Sequence, residues 1–235
     1  QGSWDELFFF HILSFFGHYG VPIFLFLSAY GLTMKYELKL PTGPTNNQET
    51  QATLPLFGFI KYHWLKLFRM MIVGFAAFTM VDNMTKGPHL YKVMDIIGQM
   101  GLFNNLLPHP DDIIWPGPYW FFGLMLQLYI VYRLLLYRRH WLWNVGLIVL
   151  CLAIQLACNP EGDALNRWRY NFIGGMLPFG AGLLYARYVR PWGTATNFVA
   201  FILSMIAILL MSFSYLTWYF VPLAICIASI TFVKL

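Results

Sequence analysis

Residues 18–36 read HYGVPIFLFLSAYGLTMKY, an apolar run that meets no charge before Lys35. Its length matches the roughly 20 residues that a helix, rising about 1.5 Å per residue, needs to cross the hydrocarbon of a bilayer. Six further runs of the same kind follow, near 60–82, 117–137, 141–158, 170–188, 196–213 and 215–234. Hydrophobic residues make up 59% of the chain and charged ones only 11%, against roughly 25% charged in soluble domains. A soluble fold of 235 residues cannot hide that much apolar surface. The expected fold is therefore all-α, a polytopic transmembrane helical bundle of about seven spans forming one membrane-embedded domain over residues 1–235.

The short loops between the runs set an orientation, because Lys and Arg concentrate on the cytoplasmic side of membranes. Lys35, Lys39 and Lys61 lie between the first and second runs, and Arg133, Arg138 and Arg139 between the third and fourth. Arg187 and Arg190 separate the fifth and sixth, and Lys234 follows the last. All four groups fall on one side. The opposite loops carry Asp82, Asp95, Asp111 and Asp112 beside Lys86 and Lys92, then Glu161 and Asp163 beside Arg167 and Arg169. The first span then runs inward, which places residues 1–16 outside. With no initiator Met, charged n-region or small-residue cleavage site before it, the expectation is a domain incomplete at its N-terminus, lacking one upstream span, and incomplete at its C-terminus as well.

The polar stretch PTGPTNNQETQATLP, Pro41–Pro55, is expected to be a mobile cytoplasmic loop. His89–Leu107 carries apolar residues at helical spacing on a half-polar stretch, the pattern of a helix lying along the outer interface. A net charge of +5 raises nucleic acid as a partner. The basic residues instead cluster at membrane edges rather than in one exposed stripe, so membrane lipids are the expected surroundings and no nucleic acid is expected. Cys151, Cys158 and Cys226 lie in or at the edge of apolar runs without metal-type spacing, so they read as packing residues and no metal site is expected.

Three places hold polar groups where apolar ones would serve. In GHYGVPIFLFLSAYGL, residues 17–32, small residues let neighbouring helices approach, with Pro22 expected near the helix start. Lys61, His63, Lys66 and Arg69 run into the second span. Arg69 lies eight residues, or about 12 Å, beyond Lys61, and no acid stands within four positions of it. A charge so placed costs at least about 2.5 kcal/mol unless paired or wet. Ligand binding, snorkelling and a structural partner are the open accounts, and an anionic donor would suit the planar fork of Arg. Trp120, Gly123 and Gln127 share one helix face, where a buried amide must find a hydrogen bond. Trp115, Tyr119 and Trp120 read first as an aromatic interface belt and second as a sugar platform. Arg167, Arg169 and Asn171 read as a solvated outer edge before a glycan contact.

GVPIFLFLSAYGL resembles the Gly-Val-Pro-Leu-Phe-Phe-x-x-Ser-Gly-Tyr segment of the acyltransferase 3 family, membrane enzymes that O-acylate polysaccharides and other glycoconjugates. Three more segments resemble that family in the right order: FIKYHWLKLFRMM at 59–71, GPYWFFGLMLQLYIVY at 117–132 with Trp120 nine residues before Tyr129, and YNFIGGMLPFGAGLLYARY at 170–188. The likeness runs to about residue 190. Ala29 replaces the usual Gly, a Pro after the basic run is missing, and Gln127 stands where some branches have Glu.

The resemblance implies an integral-membrane enzyme of the bacterial inner (cytoplasmic) membrane. It would move an acyl group, most often acetyl, from acyl-CoA to a hydroxyl of an envelope polysaccharide or glycoconjugate. Acyl-CoA is the donor substrate and a saccharide the acceptor; no bound cofactor is expected. The family's catalytic His follows an Arg by some ten residues in its first span. No position here matches, so the catalytic residue is expected upstream, with His11 and His18 the nearest substitutes. Lys66 and Arg69 are assigned to the donor side, and Trp120 and Gln127 to the pathway or acceptor side. The alternatives are an uncoupled membrane transporter or flippase of a lipid-linked saccharide, and a scaffold whose polar positions serve packing alone.

Overall fold

A computed structural model describes residues 4–38, 55–87, 92–108, 119–157, 168, 170–212, 217 and 219–235; for 4–19 and 86 it describes the backbone alone. Among the described residues the chain is all-helical, with no strand. The helices are α1 (Trp4–Tyr36), α2 (Leu56–Lys86), α3 (Val93–Gly101), α4 (Trp120–Val131), α5 (Trp141–Ala157), α6 (Phe172–Tyr188), α7 (Thr194–Met211) and α8 (Val221–Val233). A π-helical turn, Tyr132–Leu136, extends α4, and a single 3-10 turn, Asn104–Leu106, follows α3. Each of the seven apolar runs holds one of these helices or part of one, and the half-polar segment holds short α3. The Pro41–Pro55 loop lies almost wholly outside the described residues.

Among the described residues, two helices are long and apolar enough to cross a membrane: α2, over Leu56–Thr85, and α7. Their apolar side chains face outward, with Met70, Val73 and Met80 of α2 and Leu203, Leu209 and Leu210 of α7 all exposed. Contiguous apolar surface of this kind calls for a lipid or protein partner. Three buried hydroxyls meanwhile find partners on their own helices. Thr33 donates to the Ala29 carbonyl at 3.0 Å, Ser204 to Phe201 at 2.8 Å and Thr231 to Ile227 at 2.7 Å, as Ser and Thr do inside helices.

The chain divides into two compact units. The first comprises residues 1–40, 144–152 and 176–235, the second 41–143 and 153–175. In the first, α6 packs against both α1 and α5 through two glycines. A Cβ on Gly182 would run into the Phe26 carbonyl of α1 and come within 3.0 Å of the Ala29 Cβ; one on Gly180 would meet Ile148 at 2.6 Å and Asn144 at 2.9 Å. Asn144 donates to the Gly180 carbonyl across this contact at 2.9 Å. Ala29 is fully buried, and Gly182 opposite leaves room for its methyl. Phe201 of α7 meets Phe232 of α8 at 5.7 Å between ring centroids, and Cys226 of α8 donates its thiol to the Pro22 carbonyl of α1 at 3.6 Å.

Pro22 does not open a helix as its sequence setting suggests. It sits well inside α1, because the preceding LFFFHILSFF is itself apolar and carries no stop signal. Its missing N–H removes one rung of the helical ladder.

Candidate functional site

In the second unit α2 packs on α4, and the inner face of α2 is an i+4 series, Phe59, His63, Leu67 and Met71, each no more than 5% exposed. Four-residue spacing keeps such a series on one side of a helix. His63 is thereby drawn inward, away from the other polar residues of its run. Its imidazole centroid lies 4.4 Å from Phe59, 5.2 Å from Tyr62 and 4.6 Å from Tyr129 of α4. Lys61, Lys66 and Arg69 fall off the stripe and are exposed. Among the described residues, Arg69 makes no ion pair.

Trp120, Gly123 and Gln127 do share a face of α4, and protein fills it. Trp120 is 7% exposed and meets Tyr170 edge-on at 4.8 Å. Tyr119, also buried, meets Phe75 of α2 at 5.8 Å. Both rings therefore face protein, not the lipid that an aromatic belt would face. A Cβ on Gly123 would run into the Asn105 side chain and meet the Leu102 carbonyl at 2.9 Å. The glycine thus admits the turn after α3, which Leu102 begins in the left-handed conformation, φ 58°. Gln127 accepts a hydrogen bond from the backbone N–H of Phe172 at 3.1 Å. It satisfies one of the N–H groups that the start of α6 leaves without a helical partner.

Other amides converge on the same segment. Asn105 donates to the Tyr170 carbonyl at 2.9 Å and Gln155 to the Ile173 carbonyl at 2.9 Å. Asn171 caps α6 by accepting from the Ile173 N–H at 3.0 Å, and Asn104 donates to Gln99 at 2.8 Å. The buried Asn171 is therefore a helix cap, not a solvated edge residue. Asn104, Asn105 and Gln155 escaped the sequence reading, although Gln155, alone among apolar neighbours in VLCLAIQLA, carried the signal of a buried polar group in need of a partner.

The π-helical turn closes the cluster at the opposite end of α4 from Trp120. The Tyr137 N–H donates to the Tyr132 carbonyl, five residues back, at 2.7 Å. The guanidinium of Arg133 lies 4.4 Å from the Tyr137 ring centroid and 5.8 Å from that of Phe59; that of Arg138 lies 5.3 Å from Tyr137. In the first unit, Glu37, just past α1, and Arg187, in the last turn of α6, form a two-bond ion pair. The Arg187 Nε donates at 2.8 Å and its Nη2 at 2.7 Å, and the side chains are only 9% and 7% exposed. Lys234 donates to the Tyr185 hydroxyl at 2.6 Å.

Lys66 and Arg69 are thus exposed on α2, whereas Trp120 and Gln127 are committed to contacts around Tyr170 and Phe172; no described contact joins the two pairs. His11 and His18 lie on α1, where only the backbone is described. Trp115, Cys158, Arg167 and Arg169 lie outside the described residues. Cys151 and Cys226 are buried free thiols. Among the described residues, no group of three or more His, Cys, Asp or Glu is placed to hold a metal ion.

An apolar helical protein with cations held at helix ends is a recognisable class, and the comparison with known families narrows it. A family model described as an acyltransferase domain matches residues 1–234. The chain belongs to the acyltransferase 3 family, a membrane-associated group. No curated protein and no solved structure matches it.

Proposed function

We propose that the protein is an integral-membrane O-acyltransferase of a bacterial inner membrane, seven of its helices spanning the bilayer, that moves an acetyl group from acetyl-CoA to a hydroxyl of an envelope saccharide. The single observation that carries this reading is the match to an acyltransferase domain along residues 1–234. The outward apolar faces of α2 and α7 support the membrane setting, since lipid covers such surfaces without requiring polar partners.

The reaction needs a base, an oxyanion partner and a hold on the donor. A neutral imidazole takes the acceptor hydroxyl proton as the oxygen attacks the thioester carbonyl carbon. Hydrogen-bond donors or cations stabilise the resulting oxyanion. Its collapse breaks the C–S bond, and the departing thiolate recovers the proton from the imidazolium. Lys66 and Arg69, exposed on α2, are assigned to the donor's phosphates. Trp120 and Gln127 are assigned to the acceptor side, where they shape the start of α6. His63, surrounded by three rings, is a poor choice for a base that must reach a substrate. His11 and His18 are the imidazoles on which the base is tested.

Purified full-length protein, reconstituted and given labelled acetyl-CoA with envelope glycan, should transfer label to the glycan, with His11→Ala and His18→Ala assayed beside it. Absence of both transfer and thioester hydrolysis would end this reading. Movement of a labelled glycolipid without acyl-CoA would replace it with a flippase.

A further inference from the structure

Three buried amides line the last turn of α3 and the 3-10 turn that follows it, and two of them leave a polar atom without a partner. Gln99, Asn104 and Asn105 are each no more than 3% exposed. Asn104 ties the 3-10 turn to α3 by donating to Gln99 Oε1 at 2.8 Å, and Asn105 ties it to the segment before α6 by donating to the Tyr170 carbonyl at 2.9 Å. In Gln99 and Asn105 these bonds use one end of the amide. The other ends, Gln99 Nε2 and Asn105 Oδ1, are buried and have no hydrogen-bond partner.

A carbonyl accepts and cannot donate, so the Tyr170 carbonyl fixes the Asn105 amide with its NH2 group toward that carbonyl and its oxygen free of it. That oxygen lies against Gly123 of α4, where a Cβ would run into it. A buried polar atom left unpaired costs free energy that an apolar side chain in its place would not, and nearly all such atoms in folded proteins are paired. Packing alone would be served by leucine or methionine at either position. One unpaired donor and one unpaired acceptor in neighbouring turns instead match the chemistry of hydroxyl groups, which both accept and donate. Asn144 and Asn197 of the first unit each leave a single oxygen, which asks for a donor alone.

These amides stand beside the residues assigned to the acceptor side. Tyr170, whose carbonyl holds Asn105, meets Trp120 edge-on at 4.8 Å, and Gln127 holds the Phe172 N–H two residues further on. The loop that contains them lies opposite the basic groups, which is the outer side in the orientation those groups set and the side on which an envelope saccharide is presented. Both unpaired atoms are closed to solvent, so a ligand reaches them when the 3-10 turn lifts from α4. Leu102, just before that turn, holds the left-handed conformation, φ 58°, a local strain that lifting relieves. We propose that Gln99 and Asn105 form a hydroxyl-binding site for the saccharide acceptor, Gln99 donating to a sugar hydroxyl and Asn105 accepting from one. The inference rests on the acyltransferase reading above and adds to Trp120 and Gln127 the polar contacts that tell one saccharide from another, since a site built to bond a hydroxyl rejects ligands lacking it.

The test compares full-length wild type, Gln99→Met, Gln99→Met/Asn104→Leu and Asn105→Leu in reconstituted vesicles, with KM measured separately for the envelope glycan and for acetyl-CoA. The double variant removes the unpaired donor together with both partners of the Asn104–Gln99 bond, so it should fold as well as wild type. Gln99→Met alone serves if it does not. Each Gln99 variant should raise the glycan KM about tenfold, the weight of one hydrogen bond, while the acetyl-CoA KM and thioester hydrolysis without glycan stay unchanged. Asn105→Leu should do the same, with an added loss of stability through the Tyr170 bond. The control Asn197→Leu, which removes a buried amide of the first unit, should move neither KM. An unchanged glycan KM, an equal rise for both substrates, or the same rise in the control would overturn the proposal. If wild type transfers label to no glycan, the acyltransferase reading fails by itself. Binding of the same glycan by calorimetry then decides the site: about tenfold weaker binding by the double variant supports it, and equal binding or no binding by wild type sinks it.

Discussion

Placing an alanine at Gly182 and another at Gly146 should change stability in opposite directions. Both positions are helical, so propensity alone favours alanine at each by about 0.5–1 kcal/mol. The surroundings differ. Around Gly146 a Cβ meets nothing within 4 Å, whereas at Gly182 it meets the Phe26 carbonyl and lies 3.0 Å from the Ala29 Cβ. Those atoms are helix backbone and a side chain with no rotamers, so no side-chain adjustment relieves the overlap and α6 must move away from α1. Overpacking of this kind costs about 1–3 kcal/mol. Gly182→Ala should therefore be net destabilising by up to about 2 kcal/mol once the propensity gain is deducted, while Gly146→Ala gains up to about 1 kcal/mol. Reversible unfolding in mixed micelles of increasing denaturing-detergent fraction, followed by far-UV circular dichroism, reads both. Equal midpoints for the two variants would refute the close approach of α6 to α1.

Three further outcomes follow from contacts at helix ends. Arg187→Ala should destabilise the protein by about 3–5 kcal/mol, because it takes the two-bond guanidinium from the nearly buried Glu37 carboxylate. The same unfolding assay on Arg187→Ala/Glu37→Gln should recover part of that loss, and no recovery would refute the pairing. Asn171→Ala should cost about 1 kcal/mol through the lost cap on α6, with Asn171→Ser close to wild type. Gln127→Ala should cost about 0.5–1.5 kcal/mol through the bond to the Phe172 N–H. A loss of acyl transfer well beyond that loss of fold would support its place on the acceptor side.

Much of the fold was legible in the chain, because apolar run length and the position of basic residues are properties of local sequence. The stretches around 60–82, 141–158 and 170–188 became α2, α5 and α6 within a few residues. The start of α1 was misjudged, since Pro22 looks like an opening residue until its apolar predecessors are seen to continue the helix. The site was less legible. Lys61, His63, Lys66 and Arg69 form one basic run on paper, yet a helix distributes them by angle, and only packing on α4 shows that His63 turns inward while the others stay out. Arg133 and Arg138 looked like topology signals and nothing more. A five-residue hydrogen bond and a left-handed residue bring both to Tyr137, and neither feature has a sequence signature.

By itself, the sequence determined that the chain is helical, apolar and a member of an acyltransferase family, because composition, periodicity and motif order are written residue by residue. The tertiary structure alone decided which polar groups meet. Gln127 reaches Phe172 across 45 positions and Glu37 reaches Arg187 across 150. Such pairings depend on how helices pack, which no local stretch encodes.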